Sequence, residues 1–308
     1  LPQGITSIDV CSFAVCSNLI SITLPNGLLS IGGSSFSRCS SLESINIPQS
    51  VTTIGSEAFR ECNSLLSIDI PRGVTVLRYR TFCECYSLTN VILAEGVTSI
   101  EEYAFHNCSS LKNVTFSKGL TSIGVGAFLH CYKLTSINLP EGLTSIGGSA
   151  FYDCRSLTNI SFPDGLTTIQ DSTFMYCSKL TSISLPEGLT TIGGNAFYNC
   201  GNIANITIPN SVTHIGAGAL KGVTGNARIN CNIPDQMSDG SGWFSGTLFS
   251  EVVFGEGVTS VGRSAFYGCN SLTSATLSQS ISSIGSSSFY GCSNLASINL
   301  PEGLMSIG

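Results

Sequence analysis

A chain of 308 residues with 42% hydrophobic and only 10% charged residues is too apolar for disorder and has the length of about two ordinary globular domains. Its 13 Lys and Arg against 19 Asp and Glu leave a formal net charge of −6, without the clustered basic footprint that nucleic acid requires. No stretch approaches the roughly 18 consecutive apolar residues of a membrane span, and no basic segment followed by an apolar run opens the chain as a signal peptide would.

One period organises the chain. Phe13, Phe36, Phe59, Phe82, Phe105, Phe128, Phe151, Phe174 and Phe197 stand at every twenty-third position, each with a cysteine three positions on, from Cys16 to Cys200. Two turns then lack the pair, which returns in register at Phe266/Cys269 and Phe289/Cys292. A fixed period of this length predicts a solenoid in which each repeat buries its apolar face against the next. Thirteen such units fill positions 1–299 and positions 300–308 begin another, so the expectation is one solenoid over 1–308 rather than two globular domains. Neither end reads as a polar capping repeat, which suggests a segment of a longer chain.

Within a repeat, taken from Leu157, the first element is a strand with the L-x-x-L-x-L spacing of a leucine-rich repeat. Ile160 and Phe162 point inward and Asn159 and Ser161 outward, because side chains alternate along a strand. Pro163 donates no ladder hydrogen bond and closes the strand, and Gly165 allows the turn. Leu166 and Ile169, separated by Thr167 and Thr168, predict a second short strand. A Gly-rich corner follows, then a short helical or 3₁₀ turn whose spacing of three puts Phe174 and Cys177 on one inward face.

Departures mark the units in order. The strand-closing proline is replaced by Ala94, Ser117, Asn232, Gly255 and Ser278. The largest departure, near 221–249, places Leu220 and Trp243 at phenylalanine positions and Val223 and Gly246 at cysteine positions. Cys200 and Cys269 stand three whole periods apart, so the coil count continues while one or two turns are reshaped. Asp239 and Phe244 in this irregular stretch form a candidate patch, since function tends to sit on irregular loops held by a rigid scaffold.

Of the 14 cysteines, eleven occupy the repeated position, where free cysteine behaves as a small buried hydrophobe. A strictly periodic ladder does not supply the paired ligand spacing of a zinc site, so no metal, cofactor or structural disulfide is expected. Cys11, Cys83 and Cys231 fall off the ladder, and Cys231 matches an inward strand position. His106 and His130 lie beside Cys108 and Cys131, a superficial thiol–imidazole pairing. Those cysteines are structural in every other repeat, so no catalytic residue is assigned. Arg72, Arg78 and Arg80 read as solvated surface charge. Asn107, Asn113, Asn159 and Asn205 begin glycosylation sequons, of which the last three fall on the outward strand face, where Asn, Ser and Thr alternate for structural reasons.

The repeated L-x-x-I-x-L-P…L-x-x-I…A-F-x-x-C string, well formed from Leu134 to Cys154 and from Leu180 to Cys200, resembles the BspA-type leucine-rich repeats of microbial surface proteins. The resemblance covers essentially the whole chain. It implies a right-handed superhelix with parallel strand ladders, a location at the cell surface or outside the cell, and non-enzymatic adhesion to host extracellular-matrix proteins or other cells. The outward positions Ser136, Asn138, Asn159, Ser161, Ser182, Ser184, Asn205 and Thr207 form a flat, nearly uncharged array suited to an extended protein or a glycan, and are the candidate ligand face. A structural spacer displaying another domain, with no ligand of its own, is the alternative. A further alternative is an enzyme whose catalytic domain lies outside these repeats.

Overall fold

The structure is a computed structural model describing residues 1–235 and 242–308. Two compact units divide it, Leu1–Leu157 and Thr158–Gly308. Each is a parallel β-solenoid whose strands pair with the equivalent strand of the next turn.

In the first unit, Ser67–Ile70, Asn90–Leu93 and Asn113–Thr115 form the main ladder, with Asn90 opposite both Ser67 and Asn113. The second edge carries two-residue strands, Ser7–Ile8, Ser30–Ile31 and Thr53–Ile54 in one sheet and Val76–Leu77, Ser99–Ile100, Ser122–Ile123 and Ser145–Ile146 in another. In the second unit the main sheet has seven strands: Asn159–Ser161, Ser182–Ser184, Asn205–Ile208, Thr224–Ile229, Leu248–Phe254, Ser274–Thr276 and Ser297–Asn299. Its second edge again consists of two-residue strands, from Thr168–Ile169 to Ser306–Ile307. Strands this short are unstable alone. Repetition stabilises them, since the strands inside each sheet are bonded on both sides by their counterparts in the neighbouring turns.

Burial alternates as the sequence period requires: Ile68 and Ile70 are buried while Ser67 and Asp69 face solvent. The closing turn depends on a carbonyl rather than on the proline ring. Leu166 N–H donates to Pro163 O at 3.1 Å, and where proline is absent Val97 donates to Ala94 O at 3.1 Å and Leu120 to Ser117 O at 3.2 Å. Glycine after the second strand answers a close approach between turns. A Cβ on Gly55 would run into the backbone nitrogen of Gly33 in the preceding turn, so a larger residue there would force the two turns to shift.

Within each unit the phenylalanines stack, from Phe13 to Phe151 in the first and as Phe174–Phe197 and Phe244–Phe266–Phe289 in the second. Phe36 and Phe59 lie 5.4 Å apart at 4° between ring planes, and Phe59 and Phe82 5.4 Å apart at 3°. Rings this parallel but farther apart than the 3.5–4 Å or so of direct carbon contact are offset, the arrangement their quadrupoles favour. The cysteine beside each ring does more than fill space. Cys62 Sγ donates to Phe36 O at 3.2 Å and Cys85 Sγ to Phe59 O at 3.1 Å, so the thiol adds a donor to a buried carbonyl of the preceding turn. No two cysteines among the described residues are joined in a disulfide. Cys231 is buried as expected, whereas Cys11 and Cys16 are exposed and Cys292 is partly so.

The segment carrying the phenylalanine and cysteine is a flat turn and not the short helix expected. Ser34 and Arg38 flank Phe36 with φ of 52° and 62°, and Glu57 and Glu61 flank Phe59 with 58° and 58°. This left-handed backbone points alternate N–H groups sideways. Ser34, Phe36 and Arg38 donate to Ser56, Ala58 and Arg60 of the next turn, while Ser35, Ser37 and Cys39 donate within their own. A helix would direct all of these donors along its own axis and leave adjacent turns unbonded. Each non-glycine residue in this backbone region costs about 1 kcal/mol or more, and the lateral bonds offset it.

The irregular stretch keeps its place by compensating shifts. Between paired main strands the spacing falls two short of the period from Asn205 to Asn226 and runs two over it from Asn226 to Glu251, with a β-bulge between Gly225 and Asn226. One consequence corrects the expected register: Phe244, not Trp243, joins the ring stack, 5.0 Å from Phe266 at 11°. Thr247, not Gly246, takes the cysteine position, with its Oγ1 3.4 Å from Cys269 Sγ. No helix among the described residues is long and apolar enough to cross a membrane.

Candidate functional site

The candidate face is built by the main strands, where pairing puts equivalent residues side by side. Asn159 stands opposite Ser182, Ser182 opposite Asn205, and Ser161 opposite Ser184. These residues and Thr207 are all exposed, and in the first unit Ser136 and Asn138 are exposed as well. Threonines at the strand starts spend their hydroxyls on the scaffold: Thr181 Oγ1 donates to Thr158 O at 3.0 Å and Thr89 Oγ1 to Leu66 O at 3.0 Å. The Asn and Ser side chains beyond them point at solvent, where an incoming partner can meet their amides and hydroxyls. In the seven-stranded sheet the outward positions carry only two charges, Arg228 and Glu251, so the face has almost no field of its own.

The face is not uniform. Asn159–Ser161 pairs with Ser182–Ser184 at three positions, and Asn205–Ile208 with Asn226–Ile229 at four, but between Ser182–Ser184 and Asn205–Ile208 only Ser182 and Asn205 pair. There the sheet opens into a hollow of about 360 Å³ lined by Ile183, Ser184, Leu185, Glu187, Asn205, Thr207 and Pro209. Ile183, at a position buried in Ile160 and Ile206, is only half-buried. Three of the eight sequence-selected residues, Ser184, Asn205 and Thr207, thus meet around one concavity with an apolar floor. Ser136 and Asn138 lie in the other unit and do not line it.

The alternative patch fares differently. Asp239 lies outside the described residues. Phe244 is fully buried in the ring stack and offers nothing to a partner, because the one-residue shift turns it inward. Of the sequon residues, Asn113, Asn159 and Asn205 are exposed and Asn107 is half-buried, with φ of 61°.

The histidines do not sit against the ladder thiols. Cys108 Sγ donates to Phe82 O at 3.1 Å, and the sulfur near His106 is that of Cys83, 3.4 Å from Nδ1. Cys83 is buried, and burial, reinforced by Glu84, pushes its thiol up to about 12 although Arg80 and Arg60 act the other way. His106 is lowered from its usual value by burial and by His130. A thiol held so firmly in its protonated form is a poor nucleophile. His130 Nδ1 lies 3.3 Å from Asp153 Oδ2, and Arg155 also clamps Asp153, at 2.6 and 2.9 Å. Arg72 and Arg78 are exposed, as read from sequence, but Arg80 is half-buried with its guanidinium 4.9 Å from the Tyr79 ring and 5.5 Å from Tyr103. No sequence motif singles out the pairing of Cys83 with His106, although the distance between them along the chain is the repeat period itself.

The profile of the BspA type leucine rich repeat region matches in six copies, over residues 1–112, 98–226 and 228–308. A leucine-rich repeat protein from Bacteroides ovatus is 25% identical, with a TM-score of 0.55 over 99% of this chain and 78% of that one. A leucine rich cell surface protein from Faecalibacterium prausnitzii is also 25% identical, with a TM-score of 0.51 over 96% of this chain and 83% of that one. Among curated proteins none matches the chain.

Proposed function

The chain belongs to the BspA-type leucine-rich repeat family, and on that premise we propose that it is a non-enzymatic binding scaffold, displayed at a cell surface or secreted, which engages an extended protein or glycan through its outward strand face. Extracellular-matrix protein is the partner class we put forward first. The observation that carries the reading is the hollow at Ser184, Asn205 and Thr207, set in a flat and nearly uncharged row of Asn, Ser and Thr. Such a row offers donors and acceptors at the strand spacing of about 4.8 Å, so an extended partner laid across the strands can meet several of them at once, while the apolar floor offers one anchoring contact. The likeness to a protein described as a cell surface protein supports the location.

The test is attachment to immobilised matrix proteins and to glycan arrays, with Asn159→Lys, Ser182→Glu and Asn205→Lys compared with Gln279→Lys, an exposed control off the strand face. The three face variants should lose attachment with unchanged circular dichroism, and the control should keep it. Attachment of the parent protein should fall only modestly with added salt, because few charges are available to be screened. If all variants attach as the parent does, the strand face is not the site. If the parent attaches to nothing, a spacer displaying another domain becomes the better account.

A further inference from the structure

We infer that Cys83, Glu84 and His106 form a binding site for one divalent zinc-class metal ion, separate from the strand face. Cys83 and His106 occupy the same position in consecutive turns, immediately after Phe82 and Phe105, and stacking brings them together. Cys83 Sγ lies 3.4 Å from His106 Nδ1 and 3.8 Å from Glu84 Oε1, and one ligand atom from each of the three residues falls within 4.8 Å of the other two. Tetrahedral coordination, with Zn–S about 2.3 Å and Zn–N or Zn–O about 2.0–2.1 Å, sets sulfur about 3.5–3.6 Å from the nitrogen or oxygen. The two sulfur separations need adjustments of only a few tenths of an ångström, while the imidazole nitrogen and the carboxylate oxygen, within 4.8 Å of each other, close to about 3.3 Å as the ion enters.

The chemistry is consistent with the spacing. Thiolate, carboxylate and neutral imidazole bring a charge of −2, which a divalent ion neutralises. The ion displaces the thiol proton to solvent as the Zn–S bond forms, which it does even for a thiol that stays protonated alone. Glu84 is itself held by Tyr86 Oη, 3.5 Å from Oε2, the kind of outer partner that orients a ligating carboxylate. Arg60 and Arg80 also face the sulfur. Arg60 is paired with Glu61 at 2.7 Å, and Arg80 is engaged by the Tyr79 and Tyr103 rings. Glu84 and His106 are only half-buried, leaving a side through which the ion enters and a fourth position for water. Cys83 departs from the ladder of structural thiols, so the fold does not require sulfur there: Ser37 fills the equivalent position two turns earlier and is also buried.

The experiment uses the full chain, reduced and free of oxygen, with the exposed thiols removed by Cys11→Ser and Cys16→Ser. Titration with Co²⁺ should reach one equivalent and raise a thiolate-to-cobalt charge-transfer band in the near ultraviolet. Zn²⁺ should displace the cobalt. Cys83→Ser, which repeats the residue type of Ser37, and His106→Leu, which repeats that of Leu129, keep the turn packed and should abolish the band. Glu84→Gln should weaken Zn²⁺ binding by more than about tenfold, since even outer-shell substitutions cost about 10–100-fold. Absence of cobalt binding, a band that survives Cys83→Ser or His106→Leu, or binding without a charge-transfer band would each overturn the assignment.

Discussion

Removing one ring from the middle of the stack tests how the solenoid is held together. Phe59 is fully buried, with Phe36 and Phe82 each 5.4 Å away. Phe59→Ala leaves the backbone carbonyl that accepts from Cys85 Sγ but deletes the ring, opening a cavity between two turns that are pinned by lateral hydrogen bonds and cannot collapse onto it. Buried Phe→Ala changes cost about 3–5 kcal/mol, of which two lost stacking contacts account for about 1–3 kcal/mol. Phe13, half-buried with a single stacked neighbour, should cost about half as much, because burial and contacts scale together. In a repeat array the loss stays near its origin. Amide exchange should therefore show the Phe36 and Phe59 N–H groups, which donate to Ala58 and Thr81, losing protection by on the order of a hundredfold or more while distant turns change little. Equal losses for Phe59→Ala and Phe13→Ala, or a uniform fall along the chain, would refute the stacked-core argument.

Two other outcomes follow from the same structure. Burial raises the ladder and core thiols from an ordinary value of 9.0, to about 11 for Cys39 and Cys231 and about 12 for Cys200. The unfolded chain therefore releases these protons first, so the stability they contribute is complete below about pH 9 and is lost as pH rises from there through the folded values. Denaturant midpoints should fall between pH 9 and 12, and a thiol reagent at neutral pH should label Cys11 and Cys16 in the native protein but reach the buried cysteines only on unfolding; a flat alkaline profile would count against burial of the thiols. At the flat turns, Ser149 has φ of 54°, so Ser149→Val should cost about 1–2 kcal/mol because a β-branched residue resists this backbone, whereas Ser149→Gly should be close to neutral; equal melting temperatures for the two variants would contradict the assigned turn.

The repeat period alone settled which residues share a row, because in a solenoid sequence spacing becomes spatial neighbourhood. The inward Phe and Cys rows, the outward Asn159, Ser182 and Asn205, and the burial of Cys231 were all legible that way. Periodicity says which face a side chain takes but not how the backbone gets there. A spacing of three between Phe59 and Cys62 suits a helical turn as well as the flat one, and only hydrogen bonding between adjacent turns selects the latter. Nor could counting place Phe244, since the three-period span from Cys200 to Cys269 is preserved while a shortening and a bulge within it move the ring row by one residue. The hollow at Ser184, Asn205 and Thr207 arises where pairing narrows to one residue, although the local sequence still reads as a regular strand. Cys83 and His106 carry no motif within one repeat; they meet because consecutive turns stack, so their chemistry belongs to the tertiary structure.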